Sequence, residues 1–389
     1  MWSMRLRPEL IACLLSALPL ATWAQDNCQA LTDTSVILSV VTEQFYDRSF
    51  NGLNWPAEVA SAVESVDCGD SPTQVTSRIN ALLSRLGASH TAAFSTEELD
   101  YWALNSQYYF DSLDGYPLAF AGILAEREEE KWFVSAVLDG SVAAQAGVQV
   151  GDELLQLNNN PFSPTGFVPG DNRLRVSPDG SDTREIALSV PQQSLMRAFV
   201  DASSASARVI ELDAGNDRLL SVGYYRIWAG RDPIQRDFQS TLDEYYDADV
   251  DALVVDLRGG LGATSADYLA PVRYLLARKK MPVHFLIDVS VFGGKELLAS
   301  LVRHDGLGQL VGATTAGEHR PARVNRLLND RYFLMVATGA FPAPEGGVIE
   351  GVGVEPDIAV ETCTRFCAGH DPILDASLQI LASAVESDS

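Results

Sequence analysis

Two continuous apolar runs, Ala252-Leu253-Val254-Val255 and Phe285-Leu286-Ile287, constrain this chain more than any other feature. Neither alternates polar with apolar, so each must be covered on both faces, as strands of a parallel sheet between helices are. Helical patterns around 233–246, 265–278 and 295–304 separate such strands. Residues 205–389 are therefore expected to form an α/β domain with crossover helices. Within it, Asn329-Asp330 joins two alternating stretches as a hairpin, and Ile373, Leu374, Leu378 and Leu381 mark a final amphipathic helix.

The preceding residues follow other patterns. In 25–105 Val36, Ile37, Val40, Val41 and Phe45 recur at helical spacing, as do Val75, Ile79, Leu82, Leu83 and Leu86. Ser71 and Pro72 supply a cap and a first residue for the second helix, and Gly87 ends it. The loop Ala88-Ser89-His90-Thr91 follows. From 106 to 195 short apolar runs such as Leu118-Ala119-Phe120 and Trp132-Phe133-Val134 alternate with turns, which describes a β-rich unit.

Arg5 and Arg7 precede an apolar run from Leu10 to Leu20, and Thr22-Trp23-Ala24 offers a cleavage site. Residues 1–24 therefore read as a secretory signal peptide, and the chain as exported to a periplasmic or extracellular space. The run is short for a bilayer span and no later stretch reaches that length, so a soluble chain without stable membrane insertion is expected. Once Cys13 is removed with the signal, Cys28, Cys68, Cys363 and Cys367 remain, an even number suited to an oxidising compartment. Cys28–Cys68 and Cys363–Cys367 is the economical pairing. A metal site at the C-x-x-x-C pair is the alternative, and no histidine at ligand spacing supports it. With 28 basic and 52 acidic residues the formal charge is −24, a field that repels nucleic acid and anionic lipid.

The run Gly140-Ser141-Val142-Ala143-Ala144-Gln145-Ala146-Gly147-Val148-Gln149-Val150-Gly151-Asp152-Glu153-Leu154-Leu155-Gln156-Leu157-Asn158 resembles the PDZ signature, in which a helix of small residues turns at Gly-Asp into a strand. That resemblance implies a module that adds a peptide C-terminus to a sheet edge. Its peptide-binding loop is expected at Pro117, Leu118, Ala119 and Phe120. A proline there removes a donor, so a module that only packs remains open.

Four further segments, in order, resemble the tail-specific, or C-terminal-processing, serine peptidase superfamily. They are Val254-Val255-Asp256-Leu257-Arg258-Gly259-Gly260-Leu261-Gly262, Phe285 to Ala299, Val311-Gly312-Ala313-Thr314-Thr315-Ala316-Gly317-Glu318, and Ile349-Glu350-Gly351-Val352-Gly353-Val354-Glu355-Pro356-Asp357-Ile358. The resemblance implies a multi-domain α/β protein: an N-terminal helical domain, a PDZ-like domain and a ClpP/crotonase-like core. It implies serine endopeptidase chemistry on peptide or protein C-termini, with no cofactor and no metal.

In that chemistry a serine attacks an amide, a base takes its proton and backbone amides hold the oxyanion. One branch uses a lysine base where this chain has Glu318. The other, tricorn-like branch uses a Ser-His pair and a glutamate, which Ser89, His90 and Glu350 match. His90 is then the base, oriented by Ser89 and Glu350. The nucleophile position, three residues before Glu296, falls on Gly293, which has no nucleophilic atom. Gly262 and Gly294 retain the oxyanion positions. The preferred expectation is therefore a pseudo-peptidase that binds peptide C-termini. One rival is an active peptidase with Ser290 as a displaced nucleophile. Another is a carrier of a small hydrophobic ligand, by resemblance to the repeat of interphotoreceptor retinoid-binding protein. Ser265 is expected to cap a helix, Arg258 to make a structural ion pair, Asp256 to cap the next turn and Lys295 to lie on a helix surface.

Overall fold

The computed structural model describes residues 28–109, 113–213, 218–344 and 347–387. The expected signal peptide, residues 1–24, lies outside them.

The N-terminal region carries α1 (Gln29–Gln44), α2 (Trp55–Glu64), α3 (Pro72–Leu83), β1 (Ala92–Ser95) and α4 (Leu99–Tyr108). α3 starts where its sequence says it should. The Ser71 hydroxyl accepts the Gln74 amide while the Gln74 side chain accepts the Ser71 amide, a reciprocal capping box. Cys28 and Cys68 are bonded and tie the start of α1 to the loop before α3.

The next region holds β2 (Leu118–Ala119), β3 (Ile123–Glu128), β4 (Lys131–Val137), α5 (Val142–Gln145), β5 (Glu153–Leu157), β6 (Asn160–Pro161), β7 (Gly170–Ser177), β8 (Arg184–Val190) and β9 (Gln192–Gln193). Its antiparallel sheet runs in the order β3-β4-β5-β7-β8, so β3 is an edge strand. The helix of small residues read from the sequence is α5, capped by the Ser141 hydroxyl. Its Ala143 packs with Val134, Leu154, Leu174 and Val176 beneath the sheet.

α6 (Leu195–Ser206) leads into β10 (Arg208–Asp213), β11 (Leu219–Arg226), α7 (Asp232–Asp247), β12 (Ala252–Asp256), α8 (Ala270–Arg278), β13 (Val283–Ile287), α9 (Gly294–His304), β14 (Gln309–Gly312), β15 (Ala322–Leu327), β16 (Tyr332–Ala337), β17 (Ile358–Ala359) and α10 (Pro372–Ser387). The sheet order is β10-β11-β12-β13-β14-β17, parallel from β11 onward. The apolar runs behave as their composition requires. Leu253, Val255, Phe285 and Ile287 face one layer with Phe199, Phe238, Val272 and Leu298. Ala252, Val254 and Leu286 face the other, with Ile373 and Leu381 of α10. Burying each large side chain contributes roughly 1.5–3 kcal/mol.

The hairpin at Asn329-Asp330 forms as read, with Ala322 to Leu327 paired to Ala337 to Tyr332. Its destination was not legible. β16 pairs with β1, and Tyr332, Leu334, Val336 and Ala337 fill the N-terminal core beside Ile37, Val41, Val75 and Ile79. At its far end Asp33 accepts both Arg331, at 2.6 Å, and the Tyr332 hydroxyl, at 2.9 Å.

Candidate functional site

The loops that follow β12, β13 and β14 meet at the carboxyl ends of these parallel strands, where open α/β sheets place their ligands. The loop after β12 is anchored by a buried ion cluster. Asp256 accepts the Arg258 amide and guanidinium and the Tyr224 hydroxyl, and Arg258 continues to Asp371 in a two-bonded pair at 2.7–2.8 Å. Burial alone would raise the Asp256 carboxyl, but Arg258 and Arg226 hold it well below the ordinary range. Arg258 is thus an ion-pair partner and Asp256 a turn cap. Ser265 stands at the N-cap position of the short turn Ala266–Leu269, but its hydroxyl makes no capping bond there.

Lys295 corrects the expectation of a surface residue. Its side chain is fully buried, because the first turn of α9 is tucked under the turn at Gly259–Gly262, and Nζ donates to the Gly259 carbonyl at 2.6 Å. Burial pulls its amine down to about 7, with Arg226 adding to the shift and Asp256 and Asp288 opposing it.

Gly293 caps α9 with φ 59° and ψ −127°, a conformation hostile to most side chains. Gly293 thus stands at the N-terminus of α9, the last of the six residues that follow β13. A Cβ placed on Gly293 would lie 3.5 Å from His90 Cε1 and 3.4 Å from the Gly262 carbonyl. The structure therefore brings His90, Gly262, Gly293 and Gly294 together. Gly294 opens the helix, so its amide belongs to the four that a helix leaves without an internal partner. A Cβ on Gly294 would sit 2.6 Å from Thr264, so the two loops are in backbone contact.

His90 comes from the loop before β1, itself in a left-handed conformation at φ 54°. Its Nδ1 lies 2.6 Å from the Arg320 carbonyl. A carbonyl only accepts, so Nδ1 is the donor, and in the neutral ring Nε2 then carries the lone pair that a base requires. Glu350 acts one step removed. It accepts the Ser89 amide (2.8 Å) and hydroxyl (2.7 Å), the His319 amide (2.8 Å) and Arg320 Nε (2.8 Å). It thus fixes both the residue before His90 and the residue whose carbonyl orients the ring. Its own burial opposes ionisation, but those four donors hold the carboxyl below its ordinary value.

Sequence reasoning passed over Arg320 and His319. Arg320 acts through its backbone carbonyl as well as its side chain, which no residue type announces. His319 Nδ1 lies 3.2 Å from the Gly293 carbonyl, and its ring packs on the exposed Phe341. Glu318, at the lysine position of the other branch, accepts the Gly293 amide through its carbonyl at 2.9 Å. Burial raises its carboxyl, His90 opposes, and Glu296 and Glu350 add to the rise.

Ser290 lies one turn earlier. Its hydroxyl donates to Asp288 and accepts the Gly259 amide at 2.7 Å, so both its bonds go to loop residues. At the other expected locus, Leu118 and Ala119 pair with Gln193 and Gln192, and the Phe120 amide donates to the Pro191 carbonyl. Phe120 is buried among Leu138, Leu195 and Phe199, and Pro117 precedes this small ladder. A cavity of about 680 Å³ lies between the two regions, against β3 and the neighbouring Phe133, Ser135 and Val137 of β4. Leu124, Ala125 and Glu126 line it from one side, and Arg226, Gly260 and Glu318 from the other.

A model described as peptidase family S41 matches residues 263–360, and a PDZ domain model matches residues 133–166. The chain is thus similar to peptidase family S41 over residues 263–360 and to a PDZ domain over residues 133–166. It is 22% identical over 361 residues to the chloroplastic carboxyl-terminal-processing peptidase 3 of Arabidopsis thaliana, covering 83% of this chain and 67% of that one. Against the carboxy-terminal processing protease CtpB of Bacillus subtilis (strain 168) it is 22% identical over 297 residues, which is 68% of this chain and 59% of the relative. A photosystem II D1 C-terminal processing protease structure superposes with a TM-score of 0.53 at 17% identity, covering 91% of this chain and 97% of the other. That likeness establishes a shared fold. Among the described residues, no helix is long and apolar enough to cross a membrane.

Proposed function

We propose that this S41-like chain binds peptide or protein C-termini and has lost the covalent step of that family. The observation that carries the proposal is Gly293: a Cβ there would face His90 at 3.5 Å, in the turn from which a nucleophile would project. His90, Gly262 and Gly294 lie around that position and Glu350 anchors Ser89, which supports a site that keeps its surroundings without an attacking atom. Such a pocket can hold a carbonyl or carboxylate without cleaving a bond. The ligand is an extended peptide laid along the free edge of β3, with its terminus reaching the turn at Gly259–Gly262. The cavity wall sets Asp100, Glu126, Asp288 and Arg226 beside apolar Leu124, Val137, Val289 and Phe292, a mixed lining that suits the polar backbone and apolar side chains of a peptide. The two disulfides support an exported setting.

A serine-reactive fluorophosphonate probe tests the lost step on wild type, Gly293→Ser, Gly293→Ser/His90→Ala and Ser290→Ala. Wild type should stay unlabelled, and Gly293→Ser should label in a His90-dependent way. The strained φ costs the substitution roughly 1–3 kcal/mol of stability. Wild-type labelling that disappears in Ser290→Ala would overturn the proposal in favour of a displaced nucleophile. Binding of a fluorescent peptide with a free C-terminus, against the same peptide amidated, tests recognition separately.

A further inference from the structure

The segment 360–371 links β17 to α10, both elements of the core, yet its middle leaves the core and docks on the PDZ domain. The Phe366 amide donates to the Gly151 carbonyl at 2.8 Å, and the Phe366 ring packs edge-on against Phe133 at 5.6 Å. Arg365 pairs with Glu128 at the end of β3. Cys367 is buried against Gly151, where a Cβ would fall 2.7 Å from its sulfur. The Gly-Asp turn of the PDZ motif thus accepts this loop only because it has no side chain at 151, where φ is also +84°.

The other end of the segment holds the core. Asp371 makes the two-bonded pair with Arg258, two residues before Gly260 in the cavity wall. In between, Thr362, Cys363, Thr364, Gly369 and His370 form a third wall of the cavity. The loop's shape is imposed. Phe366 and Ala368 both sit at positive φ, 52° and 51°, which side chains other than glycine resist. The Cys363–Cys367 disulfide closes the backbone around Phe366 and keeps it there.

We infer that residues 361–371 are a strap, set by the Cys363–Cys367 disulfide, that holds the PDZ domain against the core and restricts entry to the outer edge of β3. Reduction by a dithiol releases it: the dithiol becomes a disulfide, and two electrons and two protons convert the Cys363–Cys367 bond to two thiols. Phe366 and Ala368 can then relax to negative φ, which withdraws the ring from Phe133 and Gly151. The PDZ domain does not come away, because its opposite side is fixed independently. Phe120, Ala136 and Leu138 are packed among Leu195, Phe199 and Trp228, and Asp139 accepts Trp228 Nε1 at 3.1 Å. Release therefore opens the cavity on the strap side, about that retained contact. The strap stands on these contacts alone; its consequence for peptide entry rests on the proposed recognition of C-termini.

Amide hydrogen exchange on the mature chain tests it in four states: wild type, dithiol-treated wild type, Cys363→Ser/Cys367→Ser, and Phe366→Ala with the disulfide intact. The double variant keeps Cys28–Cys68, which separates the strap from the other disulfide, and Phe366→Ala separates docking from bond loss. Exchange across 123–128 and 149–152 should rise about tenfold or more in the three perturbed states, while β12 and β13 stay protected. Unchanged exchange in the double variant would overturn the strap, since the loop would then dock without its bond. Peptide association should also quicken in the perturbed states. Faster exchange with no peptide binding in any state would retain the strap and remove the peptide reading.

Discussion

At pH 6 a Lys295→Met variant should be more stable than the parent chain, and by pH 10 it should be less stable. The amine is fully buried, and that burial pulls it down to about 7. An unfolded lysine titrates near 10.4, so the buried charge costs about 5 kcal/mol when both states are protonated. Methionine fills similar volume and removes that cost. It also removes the 2.6 Å bond to the Gly259 carbonyl, a loss of about 1.5–3 kcal/mol. The net gain at pH 6 is therefore about 2–3.5 kcal/mol. Between pH 7 and about 10.4 the unfolded wild type binds a proton that the folded state has released, so wild-type stability climbs with pH while the variant has no such group. Above that window only the lost hydrogen bond remains, and the variant falls behind. Guanidinium unfolding of both proteins at pH 6, 7, 8, 9 and 10, at constant ionic strength, measures the difference directly. A difference that does not change with pH, or a variant already weaker at pH 6, would refute the reasoning.

Three more expectations follow from contacts described above. Glu350→Gln in the Gly293→Ser background should lower fluorophosphonate labelling rate by roughly tenfold or more, because Ser89 and the Arg320 carbonyl lose their common anchor; an unchanged rate would mean that His90 is held without it. Reducing Cys28–Cys68, which spans 40 residues, should cost about 4 kcal/mol, against about 2 for the 4-residue separation of Cys363–Cys367. Calorimetry of the two serine double variants compares them. Asp33→Ala should destabilise the N-terminal region by roughly 2–3 kcal/mol, since it strands the Tyr332 hydroxyl and Arg331; thermal unfolding with a probe in α1 reads that loss.

Local periodicity carried much of the architecture. The buried runs at 252–255 and 285–287 became adjacent strands, and the capping pattern at Ser71 became a capping box, because each depends on neighbours in sequence. The placement of Gly293 opposite His90 was legible through motif order, although the two residues lie on different domains. What escaped depends on contacts between distant segments. Lys295 looked solvated because lysines usually are, and only the turn at Gly259, folded over α9, buries it. Arg320 contributes a carbonyl, which every residue has. The docking of Phe366 on Gly151 joins two loops whose own sequences describe only turns.

The loan of β15–β16 to the N-terminal helices bears on how the chain is made. Arg331, which closes on Asp33, is synthesised 298 residues later. At about 5–20 residues per second, the ribosome needs roughly 15–60 s to cover that distance. Throughout it, Ile37, Val41, Val75 and Ile79 lack the strand that completes their core. Any chain that stops short of Ala337 leaves this apolar surface open. The first domain to emerge is thus among the last to close, and a holding chaperone has its longest task at the beginning of the sequence.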